Sequence, residues 1–145
     1  MLLIKEISSK DTVALRSEIL RPGQDIKNCI YPNDDNEDSF HLAAYLETKQ
    51  IAIVSFYKEI HPDLNGKLQY RFRGMATINE YRKKGHASSL LHFAFQKIKQ
   101  LNGDQIWCNA RVNAITLYKN IGMKVSSEEF DIPGIGPHLL MKLDL

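Results

Sequence analysis

The chain has 145 residues, 43% hydrophobic and 25% charged, which is the balance of an ordinary water-exposed globular domain with enough chain for one core. Nineteen basic against seventeen acidic residues leave a net charge of +2, too even for the concentrated basic face of a nucleic-acid binder. No apolar run approaches the roughly 20 residues of a membrane span.

The opening MLLIKEISSK lacks the basic start, long apolar run and small-residue cleavage site of a signal peptide. Cys29 and Cys108 have neither disulfide-framework nor metal-ligand spacing. They read as thiols of a reducing compartment, so the expectation is a cytoplasmic protein, one domain over residues 1–145, with no metal and no membrane or nucleic-acid partner.

Leu2 to Ile7 reads as a first strand. Asp11 is a plausible N-cap for a helix over Thr12 to Leu20, with Val13, Leu15 and Ile19 for the core. Arg21-Pro22-Gly23 closes it. Residues 24–39 are irregular, and Tyr31 to Asp38 holds four acidic residues in eight. That segment is either a solvated acidic loop or a substrate-side loop that attracts a cationic amine.

Phe40 to Glu47 and Gln50 to Tyr57 pattern as a hairpin turning at Thr48-Lys49. Ile51 to Phe56 is apolar on both faces, which suits a central, covered strand. Leu68 to Thr77 follows as a third adjacent antiparallel strand. Ala87, Leu90, Leu91, Ala94, Phe95, Ile98 and Leu101 then recur on one helical face, and Asn102-Gly103 is a helix stop.

Gln105 to Ala110 is a strand reached through that helix, so it should run parallel to strand 70–77 by a right-handed crossover. Asn113 to Ile121 is a second amphipathic helix. Lys124 to Phe130 and His138 to Leu143 are final strands around a Pro/Gly-rich loop. The pattern is α/β with a mixed sheet.

Chemistry concentrates at Arg82-Lys83-Lys84-Gly85-His86-Ala87, between strand and helix. A helix N-terminus offers unpaired N–H groups and a favourable dipole to an anion, Gly85 permits close approach, and the basic side chains welcome phosphate. This is a candidate pyrophosphate cradle. It is neither a Walker A loop nor a dinucleotide fingerprint, and standing alone it also describes a solvated basic face.

In context, Arg-x-x-Gly-x-Ala after a central strand resembles motif A of the GNAT acetyltransferase superfamily. WCNARVNAITLYKNIGMKV, Trp107 to Val125, resembles its motif B. The resemblance implies a mixed, mostly antiparallel sheet of about seven strands, flanked by helices and splayed between its two parallel central strands.

It also implies an acyl-CoA site. The backbone of Arg82, Lys83, Lys84, Gly85, His86 and Ala87, extending to Ser88, would hold the pyrophosphate. Backbone groups of Met75, Ala76 and Thr77 would pair with the pantetheine arm, with Gly74 marking a bulge. Tyr118 would protonate the leaving thiolate. Asn113 would cap its helix or touch the cofactor, since the position seven residues before Tyr118, where relatives carry asparagine, holds Arg111. For the base, Glu80 is the first candidate, with Glu59 and His41 as others.

The implied reaction moves an acetyl group from acetyl-CoA to a primary amine of a small molecule or peptide, by direct attack in a ternary complex. A non-catalytic acyl-CoA-binding module is the alternative. A third reading, nucleic-acid binding through Arg71, Arg73 and Arg82 to Lys84, conflicts with the even charge. Dimers are common in the superfamily, and the C-terminal strands offer an edge for a homodimer.

Overall fold

The computed structural model describes residues 1–145. Eight strands form one sheet: β1 (Leu2–Ile7), β2 (Phe40–Leu46), β3 (Lys49–Lys58), β4 (Gln69–Thr77), β5 (Gln105–Arg111), β6 (Lys124–Val125), β7 (Phe130–Ile132) and β8 (Gly136–Asp144). The spatial order is β1-β2-β3-β4-β5-β8-β6, with β7 also on β8. All neighbours are antiparallel except β4 and β5, which are parallel as the intervening helix demands.

Two α-helices occupy opposite faces. α2 (His86–Gln100) buries Leu90, Leu91, Ala94, Phe95 and Ile98 against Leu42, Val54, Phe56 and Phe72 of the sheet. Its C-terminus closes as a Schellman turn: Asn102 takes φ 67°, its N–H donates to the Lys99 carbonyl at 3.0 Å, and the Gly103 N–H donates to Ile98 at 2.9 Å. α1 (Val13–Leu15) lies across the other face, where Leu15 meets Ala43, Ile53 and Ala76. A third helix, α3 (Ile115–Asn120), brings Tyr118 against the α2-side core. No helix is long and apolar enough to cross a membrane.

Several boundaries differ from the sequence reading, each for a local reason. Asp11 is not the cap of the first helical segment. Ser8 precedes a 3-10 turn over Ser9–Thr12 and its hydroxyl donates to Asp11 at 3.1 Å. The segment then runs through α1 into a π-turn over Arg16–Leu20. The hairpin turn falls one residue earlier, at Glu47-Thr48, with Glu47 at φ 55°. The strand expected over 124–130 is two short pieces, β6 and β7, because both pair with the single long β8.

Candidate active site

β4 and β5 pair only at Gln69–Gln105, Tyr70–Ile106 and Arg71–Trp107. Beyond Arg71 they diverge, leaving the β5-facing backbone of Phe72 to Thr77 without a strand partner. A cleft of about 760 Å³ opens in the gap. Met75, Ala76 and Thr77 line it from β4, and Cys108 to Arg111 from β5. A free strand edge accepts an extended amide-bearing chain by adding to the ladder.

The divergence coincides with a bulge. Opposite Val54, β4 carries one extra residue between Arg73 and Ala76. Gly74 supplies it at φ 67°, where a Cβ would come within 3.2 Å of the Tyr31 ring.

At one end of the cleft stands the N-terminus of α2. Gly85 is left-handed, φ 81° and ψ 8°, and no side chain caps the helix. The first intrahelical bond is Ser89 N–H to the Gly85 carbonyl at 3.0 Å. The N–H groups of His86, Ala87 and Ser88 are therefore the orphan donors of this helix. All three residues line the cleft, with Arg82, Lys83 and Gly85. Arg82 Nε donates to the Thr77 carbonyl at 3.3 Å, joining the loop to β4. Lys84 departs from the expected set: it is off the cleft lining, with Nζ 5.8 Å from the Tyr81 ring centroid.

Tyr118 lines the cleft from the α2 side. Its ring packs edge-on against Phe72, centroids 5.4 Å apart, and only 7% of it is exposed. Burial pushes its hydroxyl well above the ordinary tyrosine range, with Cys108 adding to the shift. The group stays protonated and can donate.

His138 also lines the cleft, from β8, and sequence reasoning missed it. Its Nδ1 lies 2.7 Å from the Gly136 carbonyl. A carbonyl only accepts, so Nδ1 carries a proton, and in the neutral imidazole the lone pair is on Nε2. Side chains alternate along β8. Met141 joins the α2-side core, so His138 belongs to the α1 face. Tyr118 and His138 thus flank the cleft from opposite sides of the sheet.

The base candidates named from sequence lie elsewhere. Glu80 is exposed in the 3-10 turn Asn79–Tyr81 and does not line the cleft. Glu59 pairs with Arg71 at 3.3 Å. His41 is 3% exposed, and both its nitrogens are engaged: Nε2 donates to the Asp34 carbonyl at 2.9 Å and Nδ1 accepts from the Ser55 hydroxyl at 2.6 Å. It has no lone pair left to take a proton. Asn113 makes no capping bond; Arg111 is the N-cap position of that helical turn. Asn113 is exposed on the cleft wall instead.

The acidic loop also differs from expectation. Asp34 points inward and is 6% exposed. Arg16, fully buried, grips it with two bonds of 2.7 and 3.1 Å. Tyr57 donates to the same carboxylate at 2.6 Å and the Tyr31 N–H at 2.8 Å. Burial by itself would raise the Asp34 pKa, yet these donors outweigh it and hold the carboxyl below its usual range. Asp35, Glu37 and Asp38 do not line the cleft. One signal was available in sequence: Arg16 falls on the helical face of Thr12, Leu15 and Ile19, where a lone arginine needs a buried acid.

A family model described as an acetyltransferase (GNAT) domain matches residues 8–145. A Bacillus subtilis protein named as the uncharacterized N-acetyltransferase YitI is 42% identical over 141 residues, 97% of this chain and 95% of that one. Among solved structures, the ribosomal-protein-S18-alanine N-acetyltransferase of Escherichia coli superposes with a TM-score of 0.77 at 15% identity, covering 99% of this chain and 94% of that one. An aminoglycoside 6'-N-acetyltransferase complexed with coenzyme A gives 0.72 at 11%, covering 98% and 96%. The splayed parallel pair, the uncapped helix N-terminus at its mouth and these matches agree: the chain belongs to the GNAT family of N-acetyltransferases.

Proposed function

We propose that the protein transfers an acetyl group from acetyl-CoA to a primary amine, by direct attack while both are bound. The observation that carries this reading is the cleft itself. It joins an uncapped helix N-terminus, a free strand edge and a protonated tyrosine in one continuous wall. The cofactor fits that wall. Orphan N–H groups of His86 to Ser88, with Arg82 and Lys83, suit its pyrophosphate; Met75 to Thr77 suit its pantetheine amides; Gly85 leaves open space where a Cβ would stand.

Acetyl-CoA supplies an activated thioester. The chain's own residues supply position and proton transfer. The amine enters from the α1 face, where His138 Nε2 takes its proton. Tyr118, on the α2 face, delivers a proton to the departing sulfur. The two roles need a proton acceptor and a proton donor on opposite sides of the reacting carbon, and this reading is supported by His138 and Tyr118 lining the cleft from opposite faces of the sheet. The two thiols and the even charge favour a cytoplasmic setting.

Calorimetric titration tests the cofactor reading. Acetyl-CoA should bind saturably, and S-acetylpantetheine, which lacks the adenosine 3′-phosphate and both phosphates of the pyrophosphate, at least roughly 10-fold more weakly, because it forgoes the charge-assisted bonds at α2. Equal affinities would remove the cradle. Tyr118→Phe should lower kcat by about 100-fold at unchanged thermal stability, since the ring contact with Phe72 survives. Unchanged kcat would make Tyr118 a packing residue only.

A further inference from the structure

The end of the cleft away from α2 is cationic, and no acid is among the residues that line it. Arg21, Arg71 and Arg73 line it together with the Tyr31 ring, and no aspartate or glutamate lines the cleft anywhere. Arg71 has a partner in Glu59. Arg73 and Arg21 have neither an ion pair nor a side-chain hydrogen bond. The Nε atoms of Arg21 and Arg71 are buried without any acceptor.

Tyr31 gathers the group: Arg73 lies 4.3 Å from its ring centroid and Arg21 5.8 Å. Like charges crowd here, and burial and Arg71 both push Arg73 below the usual arginine range. Side chains so arranged lack one thing, an anion. We propose that the acceptor carries an oxyanion, a carboxylate or phosphate, on the same molecule as its amine, and that Arg73 and Arg21 bind it.

This inference rests on the acetyl-transfer reading and names its substrate class. The pyrophosphate of the cofactor is not the anion in question. Arg73 lies about 13 Å along β4 from Thr77, at about 3.3 Å per residue. It also projects to the α1 face: its cross-strand partner Ser55 bonds Arg16 of the α1 segment, whereas its neighbour Phe72 joins the α2-side core. His138 belongs to the same face. An anion on Arg73 would therefore hold the acceptor on the side where its amine meets Nε2.

The test uses matched amines with and without the acid: lysine and cadaverine, phenylalanine and phenethylamine, phosphoethanolamine and ethanolamine. Each is measured twice, as an acetylation rate with acetyl-CoA and as a dissociation constant for the CoA-bound protein. At least one acid-bearing amine should exceed its partner by roughly 10- to 100-fold, the range of one or two charge-assisted hydrogen bonds. Carboxylate and phosphate arms show which oxyanion is taken.

Arg73→Gln and, separately, the rim variant Arg21→Gln should abolish that advantage while leaving the acetyl-CoA dissociation constant unchanged. Thermal unfolding confirms that each is folded. Arginine-dependent binding of an acid-bearing amine without turnover would keep the anion site and refute acetyl transfer. Turnover of acid-free amines at equal or better rates, an advantage that survives both substitutions, or no binding by any acid-bearing amine would overturn the anion site.

Discussion

His138→Gln is expected to lower kcat by about 10²- to 10⁴-fold, the usual worth of a positioned general base, with acetyl-CoA affinity retained. Glutamine keeps a donor for the Gly136 carbonyl and nearly the same bulk, but it has no titratable lone pair. No carboxylate lines the cleft, His41 is locked between Ser55 and Asp34, and Glu59 is paired with Arg71.

What remains is an imidazole whose tautomer is set by a backbone carbonyl, on the face opposite Tyr118. Its cross-strand neighbour is Arg111, and the Phe130 ring stacks on it with centroids 6.1 Å apart. A variant with wild-type kcat would falsify the assignment.

Asp34→Asn is expected to destabilise the protein by about 3–5 kcal/mol, because removing one partner of a buried ion pair strands the other charge. Arg16 would keep its bonds to the Cys29 carbonyl and Ser55 but lose the only carboxylate facing it. Urea unfolding at neutral pH measures the loss. Replacing both partners with apolar residues of similar volume should cost much less.

The pH dependence has a definite sign. The folded carboxyl titrates below its unfolded value, so its contribution is fully present above the ordinary aspartate range near pH 4. It is lost as pH falls through the lower, folded pKa. Wild-type stability should therefore drop below about pH 4 more steeply than that of Asp34→Asn. Parallel curves would exclude the pair as the source. The substitution should also loosen the acceptor end, since the Tyr31 N–H is held by Asp34 and the Tyr31 ring stacks on Arg73.

Much of this molecule is readable from local pattern. The spacing of Leu90, Leu91, Ala94, Phe95 and Ile98 is a property of one helix face. A helix between two strands forces them parallel, and a glycine within Arg82 to Ala87 marks the helix start. The bulge at Gly74 follows from the only residue type that takes its φ at little cost. These features depend on neighbours a few positions apart, so composition and periodicity suffice. The resemblance to the GNAT motifs, carried by residues close in sequence, implies a shared site for Tyr118, Met75 to Thr77 and the helix N-terminus, and all of them line the cleft.

The remainder depends on residues far apart in the chain, and no short-range pattern encodes it. Arg16 meets Asp34 and Ser55 only after β2 and β3 pair. Thus an acidic loop that reads as solvent-facing turns its central carboxylate inward, and His41 loses its free nitrogen. His138 looks like one more strand residue until β8 sets it beside β5. Arg21, Arg71 and Arg73 lie up to 52 positions apart, yet Tyr31 draws Arg21 and Arg73 together at the cleft end that Arg71 also lines. Burial and counter-charge decide what each of these ionisable groups can do, and both are created by the packing of the sheet.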